Sequence, residues 1–326
     1  MDDTPAFDRA PRSRLSWIFI GDDGLRAGWS IVLFVLLVWL SAKGMILALH
    51  AIHPHQIDAA QAFEPGIVSL QEALALAVVV IVALLMSVIE RRRFWRYNLS
   101  GPAPLADFVK GLLWGLVMLS ALVGLLALFG GIAVTGVVLH GGAIIGDGLE
   151  WLLAFLLVGM FEEFIFRGYL QFTLTRGVTG IVRAISPGSA KAPTIGFWVA
   201  AIVFSIILFA VAHTTNGGET PMGIVSVSMA GLLLVFSLWW TGSLWWAIGF
   251  HCAWDWAQSY LYGVADSGMV SKGHLLASHP IGAELLSGGT TGPEGSILVV
   301  PTVFLAMVVI AVTMPRRLPP VVDGRA

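Results

Sequence analysis

The amino-acid sequence predicts an all-α polytopic membrane protein with about eight transmembrane helices, and three observations support this fold class. Of the 326 residues, 57% are hydrophobic and 12% are charged, whereas soluble domains carry roughly 25% charge. The hydrophobic residues are gathered in runs near the ~20 residues that a helix needs to cross the hydrocarbon core. The basic residues favour alternate connections between those runs, as the loops of membrane proteins do.

Eight apolar runs lie along the chain. They cover residues 27–49, 67–89, 109–139, 150–174, 195–213, 222–240, 243–262 and 296–314. The third run is longer than one span and is interrupted by Gly130 and Gly131, so it is expected to tilt, kink or protrude. The first run is too long for the core of a signal peptide and is interpreted as a retained span.

Most Lys and Arg residues fall on one predicted side of the membrane. They are Arg9, Arg12, Arg14, Arg26, Arg91, Arg92, Arg93, Arg96, Lys110, Arg176, Arg183, Lys191, Arg316, Arg317 and Arg325. On the opposite side, Lys272 alone lies in a connection. Because basic residues are retained on the cytoplasmic side, both termini are predicted to be cytoplasmic and the number of spans to be even.

The same pattern divides the chain into five segments. They are a cytoplasmic N-terminal segment (1–26), about three transmembrane helices (27–140), a core of about four helices (150–262), an outer loop (263–295), and the last transmembrane helix with a cytoplasmic tail (296–326). No chemistry is assigned to the outer loop, whose two histidines are interpreted as solvated. The single cysteine, Cys252, excludes an intramolecular disulfide and a Cys-rich metal site.

Two adjacent carboxylates and an arginine interrupt the fourth run. A charge at the centre of a membrane helix costs about 2.5–3.5 kcal/mol of insertion free energy, so charged residues at this position indicate a structural or functional role. Glu163 and Arg167 are four residues apart with the acid first, which is the favourable order for an ion pair on one helical face. Glu162 points about 100° away and has no local partner. The pair is predicted to be structural, and Glu162 to be free for chemistry.

Two further polar groups interrupt apolar runs. His213 ends the fifth run, and His251 and Asp255 share a helical face in the seventh. Ionisable residues inside a membrane usually face the bundle interior or a water-filled cavity, so these side chains are expected to converge with Glu162. A count of ~1.5 Å per residue, however, places His213 about 15 Å nearer to the outer surface. Either the span starts deeper or tilts, or the following polar turn dips into the cavity.

Two kinds of chemistry suit this set of residues. Glu162, His213 and His251 form a ligand set that Zn²⁺ accepts in hydrolases, so a zinc ion is one hypothesis. A desolvated Glu162 with a raised pKa is equally suited to act as a general base that activates water.

Three ordered motifs in this region resemble those of the CPBP intramembrane proteases, which include the CAAX prenyl endopeptidases and the bacterial Abi or bacteriocin-immunity proteins. The motifs are Glu162-Glu163-x-x-x-Arg167, Phe209-x-x-x-His213 and His251-x-x-x-Asp255, and the resemblance covers roughly residues 150–260. The resemblance implies that Glu162 activates water with the help of His213. It also implies that His251 and Asp255 hold the scissile carbonyl or its oxyanion, and that Glu163 and Arg167 brace the fold.

Position 255 is Asn or Asp across that family, and here it is Asp. An ionised Asp cannot donate a hydrogen bond to an oxyanion. Asp255 is therefore expected to stay protonated, to orient His251, or to help hold a metal.

The sequence thus predicts an intramembrane endopeptidase of the bacterial inner membrane. The expected partners are the lipid bilayer and a peptide or protein substrate that enters from the membrane or the cytoplasmic side, and no nucleic acid is expected. A transporter or proton relay is the alternative, since it uses buried Glu and His residues. Transporters usually show repeated halves, and no such repeat is evident. A non-catalytic immunity or scaffold protein that keeps the motifs is the third interpretation.

Overall fold

The structure, a computed structural model, describes residues 18–21, 24–52 and 63–319 of the chain. The predictions made for both chain ends fall partly outside this range. They concern the N-terminal segment with Arg9, Arg12 and Arg14 and the C-terminal tail with Arg325.

The described chain is a bundle of long apolar helices. In chain order they are α1 (Ala27–Ile52), α2 (Pro65–Ile89), α3 (Pro104–Leu128), α4 (Gly142–Ile185), α5 (Ala192–His213), α6 (Pro221–Thr241), α7 (residues 245–261), the short α8 (Glu284–Ser287) and α9 (Val299–Thr313). Six of the described helices, α1 to α6, are long and apolar enough to cross a membrane, and α9 is a shorter apolar helix. The structure is therefore that of a polytopic helical membrane protein, and the number of eight spans and the cytoplasmic termini stay predictions.

Local sequence signals set the limits of several helices. Pro65, Pro104 and Pro221 lie in the first turns of α2, α3 and α6, where the missing N–H costs no hydrogen bond. Thr220 caps α6 with its side-chain oxygen. The same helix ends at Gly242, whose φ of 78° is the left-handed conformation that glycine adopts most easily.

The third apolar run, residues 109–139, does not form one helix. α3 ends at Leu128, and the chain then reverses through Gly130, whose φ is 71°. The β-branched residues that follow form strand β3 (Ile132–Val137), which pairs antiparallel with β4 (Leu276–Pro280) from the outer loop. A second, two-residue strand pair lies before α1. The end of this run is therefore held against a segment far away in the sequence.

The helix ends are grouped as the distribution of basic residues suggests. At one end of the bundle, Arg317 Nη1 donates to Asp107 Oδ2 at 2.9 Å, which joins the chain after α9 to the start of α3. At the other end, Lys272 Nζ lies 2.5 Å from Glu64 Oε1, so the outer loop contacts the start of α2. Lys272 also accepts a hydrogen bond on its carbonyl from Trp151 Nε1 of α4. α2 and α4 therefore start at the same end and run in the same direction.

Glycines bring the helices that carry the candidate residues into backbone contact. A Cβ built on Gly111 of α3 would lie 2.2 Å from the carbonyl oxygen of Trp246 in α7, and one on Gly249 of α7 would lie 2.1 Å from the carbonyl oxygen of Phe108. Gly159 of α4 faces the backbone of α7 in a similar way. Small residues of this kind allow helices to pack closely in a membrane. They hold α7 against both α3 and α4.

Candidate active site

Each of the three helices that carry the sequence motifs contains a π-helical stretch next to its motif. The stretches are Phe164–Leu170 in α4, Ala201–Leu208 in α5 and Ala257–Leu261 in α7. A π-helical turn shifts the direction of the side chains that follow it, and such turns are frequent at functional sites. A straight α-helical count along the sequence does not include this shift.

Glu163 joins two motifs through a single oxygen atom. Its Oε1 accepts hydrogen bonds from Arg167 Nη1 at 2.9 Å and from His251 Nδ1 at 3.0 Å. The side chains of Glu163 and Arg167 have no exposed surface. The predicted ion pair is therefore present, and Glu163 also fixes the ring of His251 on α7.

Arg167 extends the connection to α5. Its Nη2 donates to the carbonyl oxygen of Ser205 at 3.2 Å, and its guanidinium carbon lies 4.0 Å from the centre of the Phe209 ring. A guanidinium over an aromatic face is stabilised by the negative charge of the ring face. The carbonyl oxygen of Arg167 accepts from Asn98 Nδ2 at 2.7 Å, which ties this point to the segment before α3. Phe209 and Arg167 therefore hold α4 and α5 together beside the candidate site.

Glu162 lines a cavity of about 240 Å³ inside the bundle. Its Oε2 is buried and has no hydrogen-bond partner, and the nearest basic atom is His251 Nε2 at 3.8 Å. Its side chain keeps 22% of its surface exposed, in contrast to the neighbouring Glu163. A carboxylate oxygen with no protein partner beside a cavity is available to a water molecule or to a substrate.

His213 lines the same cavity from the end of α5. Its Nδ1 lies 2.8 Å from the carbonyl oxygen of Phe209, so Nδ1 carries a proton and donates, and in the tautomer that has this single proton Nε2 is an acceptor. Asn216 of the next turn also lines the cavity, and the turn is held by Thr290 Oγ1, which donates to the carbonyl oxygen of Gly218 at 2.8 Å. Of the arrangements that the sequence left open for His213, this is the one in which the polar turn reaches the cavity.

His251 and Asp255 lie one turn apart on α7 and both line the cavity. His251 Nε2 is 3.4 Å from Asp255 Oδ2, while its Nδ1 faces Glu163. Both ring nitrogens of His251 thus face carboxylate oxygens. Asp255 is nearly buried, with 7% of its surface exposed.

Sequence reasoning missed two carboxylates of the outer loop. Asp266 and Glu294 line the cavity, and their carboxylate oxygens and that of Asp255 all lie within 4.8 Å of one another. Trp254 Nε1 donates to Glu294 at 2.8 Å, and Ser259 Oγ donates to Asp266 at 3.0 Å. Burial, followed by the charges of Asp255 and Glu294, raises the pKa of Asp266 well above its usual range. No signal in the local sequence marks these two loop residues.

A third carboxylate that sequence reasoning missed is Glu72 of α2. It lines the cavity, and its Oε2 is buried without a hydrogen-bond partner. Here a signal was present, because an acidic residue inside an apolar run indicates a functional position by default.

The zinc hypothesis can be compared with this geometry. Glu162, His213 and His251 are chemically suitable ligands and line one cavity. Among the described residues, however, the three side chains whose ligand atoms lie within 4.8 Å of one another are Asp255, Asp266 and Glu294. The hypothesised zinc ligands Glu162, His213 and His251 do not form such a group.

Taken together, the fold and the cavity define a class: an integral membrane protein with carboxylates and imidazoles around a cavity within its helices. Residues 145–257 match the model of one protein family, the type II CAAX prenyl endopeptidase Rce1-like family. The match confirms the resemblance that the three motifs indicate. We call residues 145–257 the Rce1-like segment. It supports a CAAX-protease-like intramembrane endopeptidase in general.

The match has a limited extent. It covers about a third of the chain, from α4 to most of α7, and includes Glu162, His213, His251 and Asp255. The helices α1 to α3, the outer loop and α9 lie outside it. No curated protein and no solved structure matches the chain significantly.

Proposed function

We propose that this protein hydrolyses a peptide bond inside the membrane, with a water molecule activated by Glu162. The observation that supports this proposal most directly is the buried Oε2 of Glu162, which has no protein partner and faces a cavity shared with His213 and His251. A carboxylate in such a setting is suited to accept a proton from water. The predicted location in the bacterial inner membrane is part of the same proposal.

The reaction follows from the positions of the side chains. Glu162 takes one proton from water, assisted by the free Nε2 of His213, and the water oxygen attacks the carbonyl carbon of the substrate. The carbonyl oxygen becomes an oxyanion, and His251 Nε2, directed to this side by Glu163, donates a hydrogen bond to it. Because Nδ1 already donates to Glu163, this step uses the doubly protonated ring of His251. Collapse of the intermediate breaks the C–N bond, and the leaving amine takes the proton from Glu162. No covalent bond to the protein is formed.

Asp255 takes the orienting role in this mechanism. Its Oδ2 lies 3.4 Å from His251 Nε2, close enough to keep the ring facing the cavity until substrate binds. An ionised carboxylate cannot donate to an oxyanion, so Asp255 does not contact the reacting oxygen in this scheme. A metal bound by Glu162, His213 and His251 would instead polarise the carbonyl and the water.

The test uses the purified full chain in liposomes and a mixture of peptides whose products are identified by mass spectrometry. Glu162→Gln should lower cleavage by roughly 10²–10⁴-fold, the usual contribution of a general base, without lowering the melting temperature. The matched control is Glu150→Gln, on the same helix but with an exposed side chain, which should behave as wild type. Equal activity of the two variants would exclude Glu162 as the base.

A chelator distinguishes the two mechanisms. Activity that survives chelation and a preparation without stoichiometric metal would support the water-activation mechanism. Loss of activity on chelation that added zinc restores would favour the metal-assisted mechanism.

A further inference from the structure

The charges that line the cavity are almost all of one sign. Five carboxylates line it, and among the described residues no Lys or Arg does so. The five are Glu72, Glu162, Asp255, Asp266 and Glu294. The two imidazoles, His213 and His251, are the only lining groups of the described chain that are able to carry positive charge. Arg167, the buried ion-pair partner of Glu163, does not line the cavity.

The five carboxylates come from different parts of the chain: Glu72 from α2, Glu162 from α4, Asp255 from α7, and Asp266 and Glu294 from the outer loop. Glu72 lies one turn beyond Val68 of α2, which packs in one cluster with Phe155 of α4. Since α2 and α4 run in the same direction, this contact places Glu72 on the wall beside Glu162, two turns beyond Phe155. The buried Oε2 atoms of Glu72 and Glu162 both lack hydrogen-bond partners. Both oxygens are therefore available to accept hydrogen bonds from a ligand in the cavity.

Asp266 and Glu294 line the cavity from the outer loop, close to the proposed reaction centre. Glu162 Oε2 lies 3.8 Å from His251 Nε2, which lies 3.4 Å from Asp255 Oδ2. Carboxylate oxygens of Asp266 and Glu294 lie within 4.8 Å of that of Asp255. Along this path two side chains, His251 and Asp255, lie between Glu162 and the carboxylates of the outer loop.

Electrostatics then decides which peptides fit. Like charges this close inside a low-dielectric site repel one another. Burial raises the pKa of Asp266, and the neighbouring charges of Asp255 and Glu294 raise it further. An ammonium or guanidinium group in the cavity would relieve the repulsion, whereas a carboxylate would add to it. The rest of the lining is mostly apolar, with Phe155, Leu233 and Phe250 among its members, which suits the uncharged neighbours of such a residue.

We propose that this cavity selects peptides with a Lys or Arg beside the scissile bond and disfavours peptides with a carboxylate there. This inference rests on the proposed function, because it assigns a substrate class to the same cavity. An extended chain advances about 3.3–3.6 Å per residue, so the basic residue lies within about two positions of the bond. Glu72, Asp266 and Glu294 determine this specificity from outside the Rce1-like segment.

The first test compares three peptides that differ at one position. A peptide that the wild-type protein cleaves is made with Lys, norleucine or Glu beside the bond, and with an amide at its C terminus. The Lys peptide should have a kcat/KM about tenfold above the norleucine peptide, and the Glu peptide should be the poorest. Glu294→Gln and Asp266→Asn should each lower the ratio of kcat/KM for the Lys peptide to that for the norleucine peptide several-fold. Glu284→Gln, an exposed residue of the same loop, is the matched control and should keep the full preference.

The second test measures binding without hydrolysis. Fluorescent forms of the three peptides are titrated against the Glu162→Gln variant, and the Lys peptide should bind about tenfold more tightly than the Glu peptide. If this order is found but no peptide is cleaved by wild type, the charge preference stands and the proposed hydrolysis fails. Equal binding of the three peptides overturns the charge preference. So does preferred binding of the Glu peptide, which a divalent cation held by the three clustered carboxylates would produce.

Discussion

Glu163 in the Rce1-like segment and the cavity-lining carboxylates of the flanking parts of the chain differ in whether they form an ion pair with a Lys or Arg. Within residues 145–257, Glu163 is paired with Arg167 and with His251 at 2.9 and 3.0 Å. In the flanking parts, Glu72, Asp266 and Glu294 reach the cavity, and no Lys or Arg of the described chain forms an ion pair with them.

The difference separates two tasks. A paired buried charge is satisfied inside the protein and keeps the helices and the His251 ring in place. An unpaired carboxylate beside a cavity lowers stability and is available to a ligand. In the proposed mechanism the matched segment carries the reaction centre, and the carboxylates of the flanking parts add to the negative charge of the cavity.

Replacement of a paired charge should have the largest effect on stability. Glu163→Gln leaves the fully buried Arg167 without its ion pair, so the free energy of unfolding should fall by about 3–5 kcal/mol. Cleavage should also fall, because His251 Nδ1 loses its carboxylate acceptor. Thermal and denaturant unfolding in detergent measure the first effect, and peptide cleavage measures the second.

The control for Glu163→Gln is Glu72→Gln, the same replacement at a cavity-lining carboxylate outside the Rce1-like segment. It removes a carboxylate that has no ion pair, so stability should stay the same or rise. A similar loss of stability in both variants would contradict the contrast between paired and unpaired carboxylates.

The double variant Glu163→Leu with Arg167→Met should regain most of the stability, because an apolar pair replaces a buried ion pair at little cost. It should remain poorly active, since the ring of His251 is no longer held.

An intermediate effect is expected at Phe209. Phe209→Leu keeps an apolar side chain but removes the ring face that lies 4.0 Å from the Arg167 guanidinium. A desolvated contact of this kind contributes about 2 kcal/mol, and the melting temperature should fall accordingly. Phe166→Leu is the control, since its ring contacts Phe209 edge-on, with ring centres 5.3 Å apart. An equal loss in both variants would assign the effect to apolar packing alone.

The smallest effect should depend on pH and concerns Asp266. Its folded-state pKa is raised by burial, so the unfolded chain ionises first as the pH rises above about 4, and wild-type stability falls from that point upward. Asp266→Asn cannot ionise and should gain stability on the order of 1 kcal/mol at neutral pH. Below the ordinary pKa of Asp the gain should vanish. Unfolding measured across pH checks this, and a gain that is independent of pH would contradict the assignment.

The sequence was sufficient to predict the ion pair of Glu163 with Arg167 and the shared helical face of His251 and Asp255. The spacing of Glu163 and Arg167 on one helix is a local property, and the ion pair is present as predicted. His251 and Asp255 share a helical face for the same reason. The resemblance of three ordered motifs was confirmed by the family match.

The features that the sequence did not predict depend on distant contacts or on irregular backbone. β3 and β4 pair across more than one hundred residues, so the end of the run 109–139 and the position of the outer loop were not predictable from local patterns. Asp266 and Glu294 reach the cavity through that loop. The depth count for His213 assumed a regular helix, whereas α5 contains the π-helical stretch Ala201–Leu208. Glu72 lies inside the apolar run 67–89, where its charge is a signal for a functional position that the sequence analysis did not use.

The backbone contact between α3 and α7 limits how this protein can be divided. The position of His251 depends on Gly111, which lies outside the Rce1-like segment and has no room for even a methyl group beside Trp246. A fragment cut at residues 145 and 257 would expose that face of α7 to lipid and lose the wall that carries Glu72. The boundaries of the family match are therefore not the boundaries of a module that is able to fold and work alone, and transplanting the segment into another helical bundle would require a glycine-lined partner helix with it.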